Sequence, residues 1–300
     1  MEAPPLYLRN AGVVDGTGAP PREAGSVLVE GGRIVRVGAS SDAAPEGATV
    51  VDLAGRTLLP GLVDAHVHVT AFDLPSPLKG EAVVAPEVKH YFLARGLGSM
   101  LRMGITTLRD VGAFGDDLLH ARRAMELGAF AGPRVLACGR ILSATSPGGA
   151  HFGDMYREAD GADEMRKATR EQIRRGADFI KLMTTGARSV ALEDPEPAQV
   201  TRSEVATVVE EAHRMGFRVA AHCEGLDGTR LAIDEGVDTI EHGLELHRAP
   251  ELLAALAESG RILVPTLSCF FDLSETHACL WLPRLVEQAE RQKEEAHRTV

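Results

Sequence analysis

Residues 178–223 read DFIKLMTTGARSVALEDPEPAQVTRSEVATVVEEAHRMGFRVAAHC. An apolar run, DFIKLMTT, gives way to a segment of helical period and then to a second apolar run, FRVAAHC. Thr201 and Glu204 stand at capping-box spacing at the head of the helical segment, and Gly216 stands at its tail. A strand, a crossover helix and a second strand make a parallel pair.

The same rhythm begins at Leu58. Strand-like runs recur at LVDAHVHV, ITTLRDV, RVLACGRIL, VDTIEHG and RILVPTL. Between them lie the helical segments HYFLARGLGSMLRMG, GDDLLHARRAMELG, ADEMRKATREQIRRGAD, GTRLAIDEG and PELLAALAESG. In the third of these, Asp163 or a neighbour opens the helix and Gly176 stops it. Seven parallel strands of this kind predict an α/β fold, a (β/α)8 TIM-type barrel rather than an open doubly wound sheet. No GxGxxG follows any strand, which disfavours a dinucleotide fold. The last segment, LPRLVEQAERQKEEAHRTV, reads as a charged helix, so the barrel is expected to lack its eighth strand. Residues 1–57 differ from the rest. LYLRNAGVVDG, GSVLVEGGRIVRVG and ATVVDLAGRTLLP are short β-branched runs that predict antiparallel strands joined by tight turns. They are too few to close a sandwich alone, so 1–57 is expected to be part of a small β-sandwich and 58–300 the barrel.

Composition narrows the function. Hydrophobic residues are 44% and charged residues 25%, the mix of a soluble globular protein. No apolar run reaches the ~18 residues that span a bilayer, and MEAPPLYLRNAG carries no signal-peptide core. A cytoplasmic protein is expected. Cys138, Cys223, Cys269 and Cys279 share no CxxC spacing and are expected to be reduced, half-buried thiols. A net charge of -11 without a basic cluster argues against nucleic acid and membrane as partners.

The chemistry therefore rests on side chains or a metal. His66 and His68 sit two apart at the end of the first barrel strand, so both imidazoles face one side, which in a barrel is the interior. A pair of hydrogen-bonded core histidines is the plain alternative. Lys181 shares a face of DFIKLMTT with Phe179 and Met183. A buried ammonium is costly, so this lysine must be neutral, paired, chemically altered or reaching for the barrel mouth. As a free amine it suits a Schiff base; after capture of carbon dioxide it is a carbamate with two oxygens for two metals. His222 ends FRVAAHC and His242 ends VDTIEHG. Neutral imidazoles from several strands at one end of a barrel suit zinc and other first-row divalent ions.

GLVDAHVHV, GITTLRDVG, GADFIKLMTTGA, AAHCEG and GVDTIEHG, in that order, resemble the amidohydrolase superfamily. The similarity is to its binuclear zinc amidases related to imidazolonepropionase, a branch that includes Xaa-Pro dipeptidases, zinc-dependent arginine carboxypeptidases and ochratoxin-hydrolysing amidases. The resemblance implies two divalent metal ions, zinc, with His66 and His68 on one, His222 and His242 on the other, and Lys181 bridging both as a carbamate. It implies hydrolysis of an amide or peptide-like bond in a small substrate, such as a dipeptide or N-acyl amino acid, by hydroxide shared between the metals. His151, in SPGGAHFGD, is an expected substrate residue in the loop after the third strand, displaced by one residue from the family's GGH. Glu224 is expected to face the side of His222 and to meet a cationic substrate group or a metal ligand. Asp110 is expected to orient neighbours or pair with Arg109. His90, His120, His213, His247, His277 and His297 read as surface or packing residues.

The resemblance also implies a catalytic aspartate at the end of an eighth strand, and no residue here matches it. The catalytic residue is thus unknown, and the chain is expected to be a C-terminally truncated member. Unpaired edges on strands one and seven invite pairing with another chain, including a homo-oligomer. Three alternatives stay open: a cyclic-amide hydrolase or deaminase with the same site, a lysine-based aldolase-type enzyme, and an inactive fragment.

Overall fold

A computed structural model describes residues 3–71, 85–190 and 192–268 and divides into two compact units, Met1–Leu62 and Val63–Val300. In the first unit, β1 (Leu6–Val13), β2 (Arg22–Glu30), β3 (Arg33–Ala39), β4 (Thr49–Asp52) and β5 (Thr57–Leu58) form one sheet. The pairs β1–β2 and β2–β3 are antiparallel. The second hairpin turns through Gly31 and Gly32 at φ of 55° and 74°, backbone that a two-residue turn needs and glycine supplies without strain. The strands β4 and β5 pair with β1 in parallel, which corrects the expectation of antiparallel strands throughout. Residues 40–48 return the chain to the start of β1, where Thr49 meets Leu6, so β4 sets out in the same direction. Ala11, Val13 and Val27 form a small buried cluster on this sheet, Tyr7 and Leu28 are buried as a facing pair, and Ile34, Val35, Val37, Val50 and Val51 remain exposed.

The second unit carries the strand–helix alternation. Its elements are β6 (Leu62–Val67), α1 (Pro86–Arg102), β7 (Ile105–Asp110), α2 (Asp117–Glu126), β8 (Arg134–Ala137), β9 (Ile141–Ser143), α3 (Pro147–Phe152), β10 (Tyr156–Glu158), α4 (Gly161–Arg175), β11 (Phe179–Met183), α5 (Arg202–Arg214), β12 (Arg218–Cys223), α6 (Leu226–Asp234), β13 (Thr239–His242), α7 (Pro250–Ser259) and β14 (Ile262–Val264). The strands form two sheets, ordered β6-β7-β8 and β10-β9-β11-β12-β13-β14. The ladders from β9 through β14 and the β7–β8 pair are parallel, as crossover helices require. This is the α/β architecture of barrel type that the alternation predicts.

RVLACGRIL, expected as one strand, is two. Gly139 at φ 72° breaks it, so β8 pairs with β7 while β9 pairs with β11. Asp178 ties the break together: its backbone N–H donates to the Ala137 carbonyl and its carboxylate accepts from the Ala137 N–H, both at 2.8 Å. The boundaries of the helices follow their caps. Thr201 and Glu204 form the capping box of α5, and Gly176, in the left-handed region, ends α4. Layers of buried aliphatics lie between helices and strands. Leu97 of α1, Leu108 of β7 and Leu118 of α2 are fully buried, each contributing about 2 kcal/mol by removal from water. A second cluster joins Met165 and Ala168 of α4 with Val205 and Val208 of α5 over Ile180, Val219 and Ile240.

Among the described residues β14 is the last strand. The charged segment at 282–300, Cys269, Cys279, His277 and His297 lie outside the described residues. Cys138 and Cys223 are fully buried, not half-buried as expected, because β12 and the β8–β9 break put them on inward-facing positions. Burial pushes both thiols up, Cys223 to about 11. Among the described residues no helix is long and apolar enough to cross a membrane.

Candidate metal centre

Four imidazoles from three strands converge at the C-terminal ends of the sheets. His66 belongs to β6, His68 follows it directly, and His222 and His242 occupy the neighbouring strands β12 and β13 of one ladder, in which His222 faces Glu241 and Cys223 faces His242. Ring centroids lie 5.4 Å apart for His66–His68, 4.8 Å for His66–His242 and 4.6 Å for His222–His242. Period-two geometry brings His66 and His68 to one side, as the spacing predicts.

Three of the four rings are oriented by a specific partner. His68 donates from Nδ1 to the Gly112 carbonyl at 2.9 Å. His66 donates from Nδ1 to Glu241 Oε2 at 2.7 Å. His242 Nδ1 is hydrogen-bonded to the Thr266 hydroxyl at 2.8 Å. A second partner on Nδ1 sets the tautomer and turns Nε2 toward a metal, the usual device of metal-binding histidines. His242 itself sits at φ 67°, a left-handed conformation rare for a non-glycine residue, and Gly243 follows at 61°. Such backbone costs about 1 kcal/mol and here aims the imidazole into the cluster. Gly112 must lack a side chain: a Cβ there would meet Ile141 Cδ1 at 2.5 Å and His68 Nδ1 at 3.1 Å.

Lys181 lies on β11, opposite Ala220 in the β11–β12 ladder, and is 1% exposed. Burial lowers its amine to about 8, and its charge is felt by all four histidines. Burial likewise depresses the imidazoles, His68 to about 3 and His222 and His242 well below their ordinary value. At neutral pH the rings are therefore uncharged, which is the ligating form. His222 Nε2 is a buried nitrogen with no hydrogen-bond partner. A buried polar atom left in that state is costly unless something else occupies its lone pair. The donor set and this orphaned nitrogen fit divalent metal ions.

Two residues that the sequence reading did not single out complete the site. Glu241, one residue before His242, has a fully buried side chain that accepts from His66, from Arg109 Nη1 at 2.9 Å and from Thr239 Oγ1 at 2.7 Å. Burial alone would raise its carboxyl, but the His66 hydrogen bond, Lys181 and Arg109 hold it below the ordinary carboxylate range. Arg109 also donates to Thr239 Oγ1 at 2.8 Å and lies 4.3 Å over the Phe179 ring. The signal was present: a glutamate inside the apolar run VDTIEHG needs a partner for the same reason as Lys181.

Arg109 thus pairs with Glu241, not with Asp110 as one expectation had it. Adjacent strand residues point to opposite faces, so the two cannot share a partner side. Asp110 instead accepts from the backbone N–H groups of Val69 at 2.7 Å and Gly112 at 3.1 Å, pinning the segments after β6 and β7 together, and burial raises its carboxyl to about 7. His151 lies on the short helix α3 rather than in a loop, because Pro147 starts a helical turn there. It is exposed, with its ring edge-on to Phe152 at 4.7 Å, and none of its contacts is to the four-histidine cluster among the described residues. Strand β12 ends at Cys223, before Glu224. Glu224 is 5% exposed, accepts from the Arg188 N–H at 2.7 Å, and brings Oε1 within 3.5 Å of His222 Nε2. Arg188 continues to Glu245 at 2.6 Å, so the ends of β11, β12 and β13 are knitted by alternating charges.

Residues 57–283 match the model of the amidohydrolase family. Ochratoxinase from Aspergillus niger is 30% identical over an alignment of 281 positions that covers 85% of this chain and 57% of that protein. The chain thus spans little more than half the length of that relative. A solved structure of a prolidase complexed with N-methylphosphonate-L-proline matches with a TM-score of 0.85 at 28% identity, covering 98% of this chain and 74% of its own. A Xaa-Pro dipeptidase with methionine bound in its active site matches with a TM-score of 0.86 at 26% identity, covering 98% and 75%.

Proposed function

The chain belongs to the amidohydrolase family, and from that premise we propose that it is a metal-dependent hydrolase of an amide bond in a small substrate, a dipeptide or N-acyl amino acid. The observation that carries this reading is the convergence of four imidazoles, with a buried Lys181 whose charge bears on each of them and a buried His222 Nε2 that has no hydrogen-bond partner. The ochratoxinase, prolidase and Xaa-Pro dipeptidase similarities support it.

His66 and His68 would hold one ion and His222 and His242 a second. Lys181 would stand between them as a carbamate: its unprotonated amine adds to carbon dioxide, forming an N–C bond and releasing one proton. Depression to about 8 enriches that free amine near neutral pH. When bound, zinc-type ions polarise a carbonyl and make a water acidic enough to attack it near neutral pH. The chain's own residues supply the frame. Glu241 and the Gly112 carbonyl fix the two rings of β6, and Arg109 balances the charge of Glu241. Glu224 holds Arg188 and lies beside His222. His151, in the segment after β9, is proposed as a substrate residue rather than a metal ligand. Proton transfer to the leaving amine is assigned to none of the described residues.

The test is metal content followed by turnover. Protein loaded with Zn2+ in bicarbonate should carry two equivalents at this centre and release free amino acid from members of a dipeptide and N-acyl amino acid panel. A ring-opened acid or ammonia as the sole product would move the assignment to a cyclic-amide hydrolase or deaminase. Full loading with no turnover on any of these would overturn the activity.

A further inference from the structure

A second group of metal-type donors lies away from the barrel centre. His90, on the first turns of α1, comes beside Asp117 and His120 of α2, and the ligand atoms of the three lie within 4.8 Å of one another. Asp117 and His120 are three apart on one helix, so both project to the same side. His90 Nε2 is already 3.4 Å from Asp117 Oδ1. Bonds of ~2.05 Å at a tetrahedral angle put neighbouring donors about 3.3 Å apart. The first pair therefore stands at coordination spacing, and His120 has to close by at most about 1.5 Å, a movement that an exposed side chain makes by rotation. His90 and His120 are exposed and Asp117 partly so.

We propose that His90, Asp117 and His120 form a peripheral site for a divalent ion of the zinc class. Two imidazoles and one carboxylate are a borderline donor set, suited to Zn2+, Co2+, Ni2+ or Cu2+ rather than to Mg2+ or Ca2+. Three protein donors on one side leave the remaining positions to solvent. The ion cross-links α1 to α2, the helices that follow β6 and β7. These strands present His66 and Arg109 to the barrel centre, so the site braces the frame of the candidate active site without touching it.

The site is tested by counting Co2+ and Zn2+ on the full chain after chelator treatment. Wild type should bind one equivalent more than His90→Ala/His120→Ala, with a micromolar or tighter Kd for that equivalent. The extra Co2+ should add visible absorption at tetrahedral intensity that the double variant lacks. Asp117→Asn should weaken the same equivalent at least tenfold while leaving the others in place. These residues are at the surface, so the variants should fold, and circular dichroism checks that they do. Equal metal counts for folded wild type and double variant would overturn the proposal, as would an extra equivalent seen only at millimolar metal; the three residues would then be a surface ion pair. Loss of the barrel ions with this equivalent retained would instead count against the proposed hydrolase and leave this site standing.

Discussion

Replacing Arg109 by methionine isolates the charge balance on which the candidate centre depends. The guanidinium donates to the buried Glu241 carboxylate at 2.9 Å, to the Ala65 carbonyl at 3.1 Å and to Thr239 Oγ1 at 2.8 Å, and it covers Phe179. A hydrogen bond between charged groups contributes about 1.5–3 kcal/mol, each neutral one about 1 kcal/mol and the ring contact about 1 kcal/mol. Removing one partner of a buried ion pair generally costs about 3–5 kcal/mol. Glu241 keeps two donors, His66 and Thr239, and the nearby Lys181 charge, and methionine refills the volume. The expected loss for Arg109→Met is therefore near the lower bound, about 3 kcal/mol, a large fraction of the ~10 kcal/mol that holds a typical domain. Glu241→Gln should cost about 2–3 kcal/mol, because Arg109 is then left without its counter-charge. The double variant should lose less than the sum of the two by about 2 kcal/mol, the signature of direct coupling. Urea unfolding in chelator, with matched m-values, reads all three. A loss under 1 kcal/mol for Arg109→Met, or strict additivity in the double variant, would refute the claim that this pair sustains the interior.

Three further outcomes are expected. Gly112→Ala should displace Ile141 and the His68 ring and weaken metal binding 10- to 100-fold, measured by competition with a chromogenic chelator; unchanged affinity would remove the close-approach argument. Thr201→Ala should cost about 1 kcal/mol through loss of the α5 capping box, and a cost within 0.3 kcal/mol would assign capping to the Glu204 carboxylate alone. Arg170 and then Arg214 hold the Glu211 carboxyl down at about 2, below its unfolded value. Its stabilisation is thus present above about pH 4.5 and lost as pH falls toward 2. Both arginines are half exposed, so Glu211→Gln should cost only about 1 kcal/mol at pH 7 and nothing at pH 2; a cost that persists in acid would contradict the ion-pair origin.

The periodic features were legible in the sequence because they are local. Strand parity placed His66 with His68, the capping pair located α5, and glycines marked helix ends. Lys181 was conspicuous because one charge in an apolar strand demands an explanation. What escaped was set by distance along the chain. Glu241 meets Arg109 across 132 residues and His66 across 175, and period-two reasoning shows which face a residue takes but not what stands opposite. The split of RVLACGRIL also escaped, since a glycine in a strand pattern signals a bulge as readily as a change of sheet. The parallel pairing of β4 depended on where residues 40–48 deliver the chain, which no residue within them encodes. His151 was judged by its neighbours in sequence, and Pro147 made those neighbours a helix.

The fixed ring orientations at the candidate centre bear on the order of events during the protein's life. Glu241, Gly112 and Thr266 hold their histidines through bonds that require no ion, and the rings carry no charge that would drive them apart. Biosynthesis and metallation are on this account separable. Under the proposed function, the ions would add to ligands that the chain itself already orients, unlike small zinc modules whose folding waits for the metal. The identity of the resident ion is then decided by what the surroundings offer at the moment of loading, and a wrongly chosen ion can be exchanged without dismantling the fold.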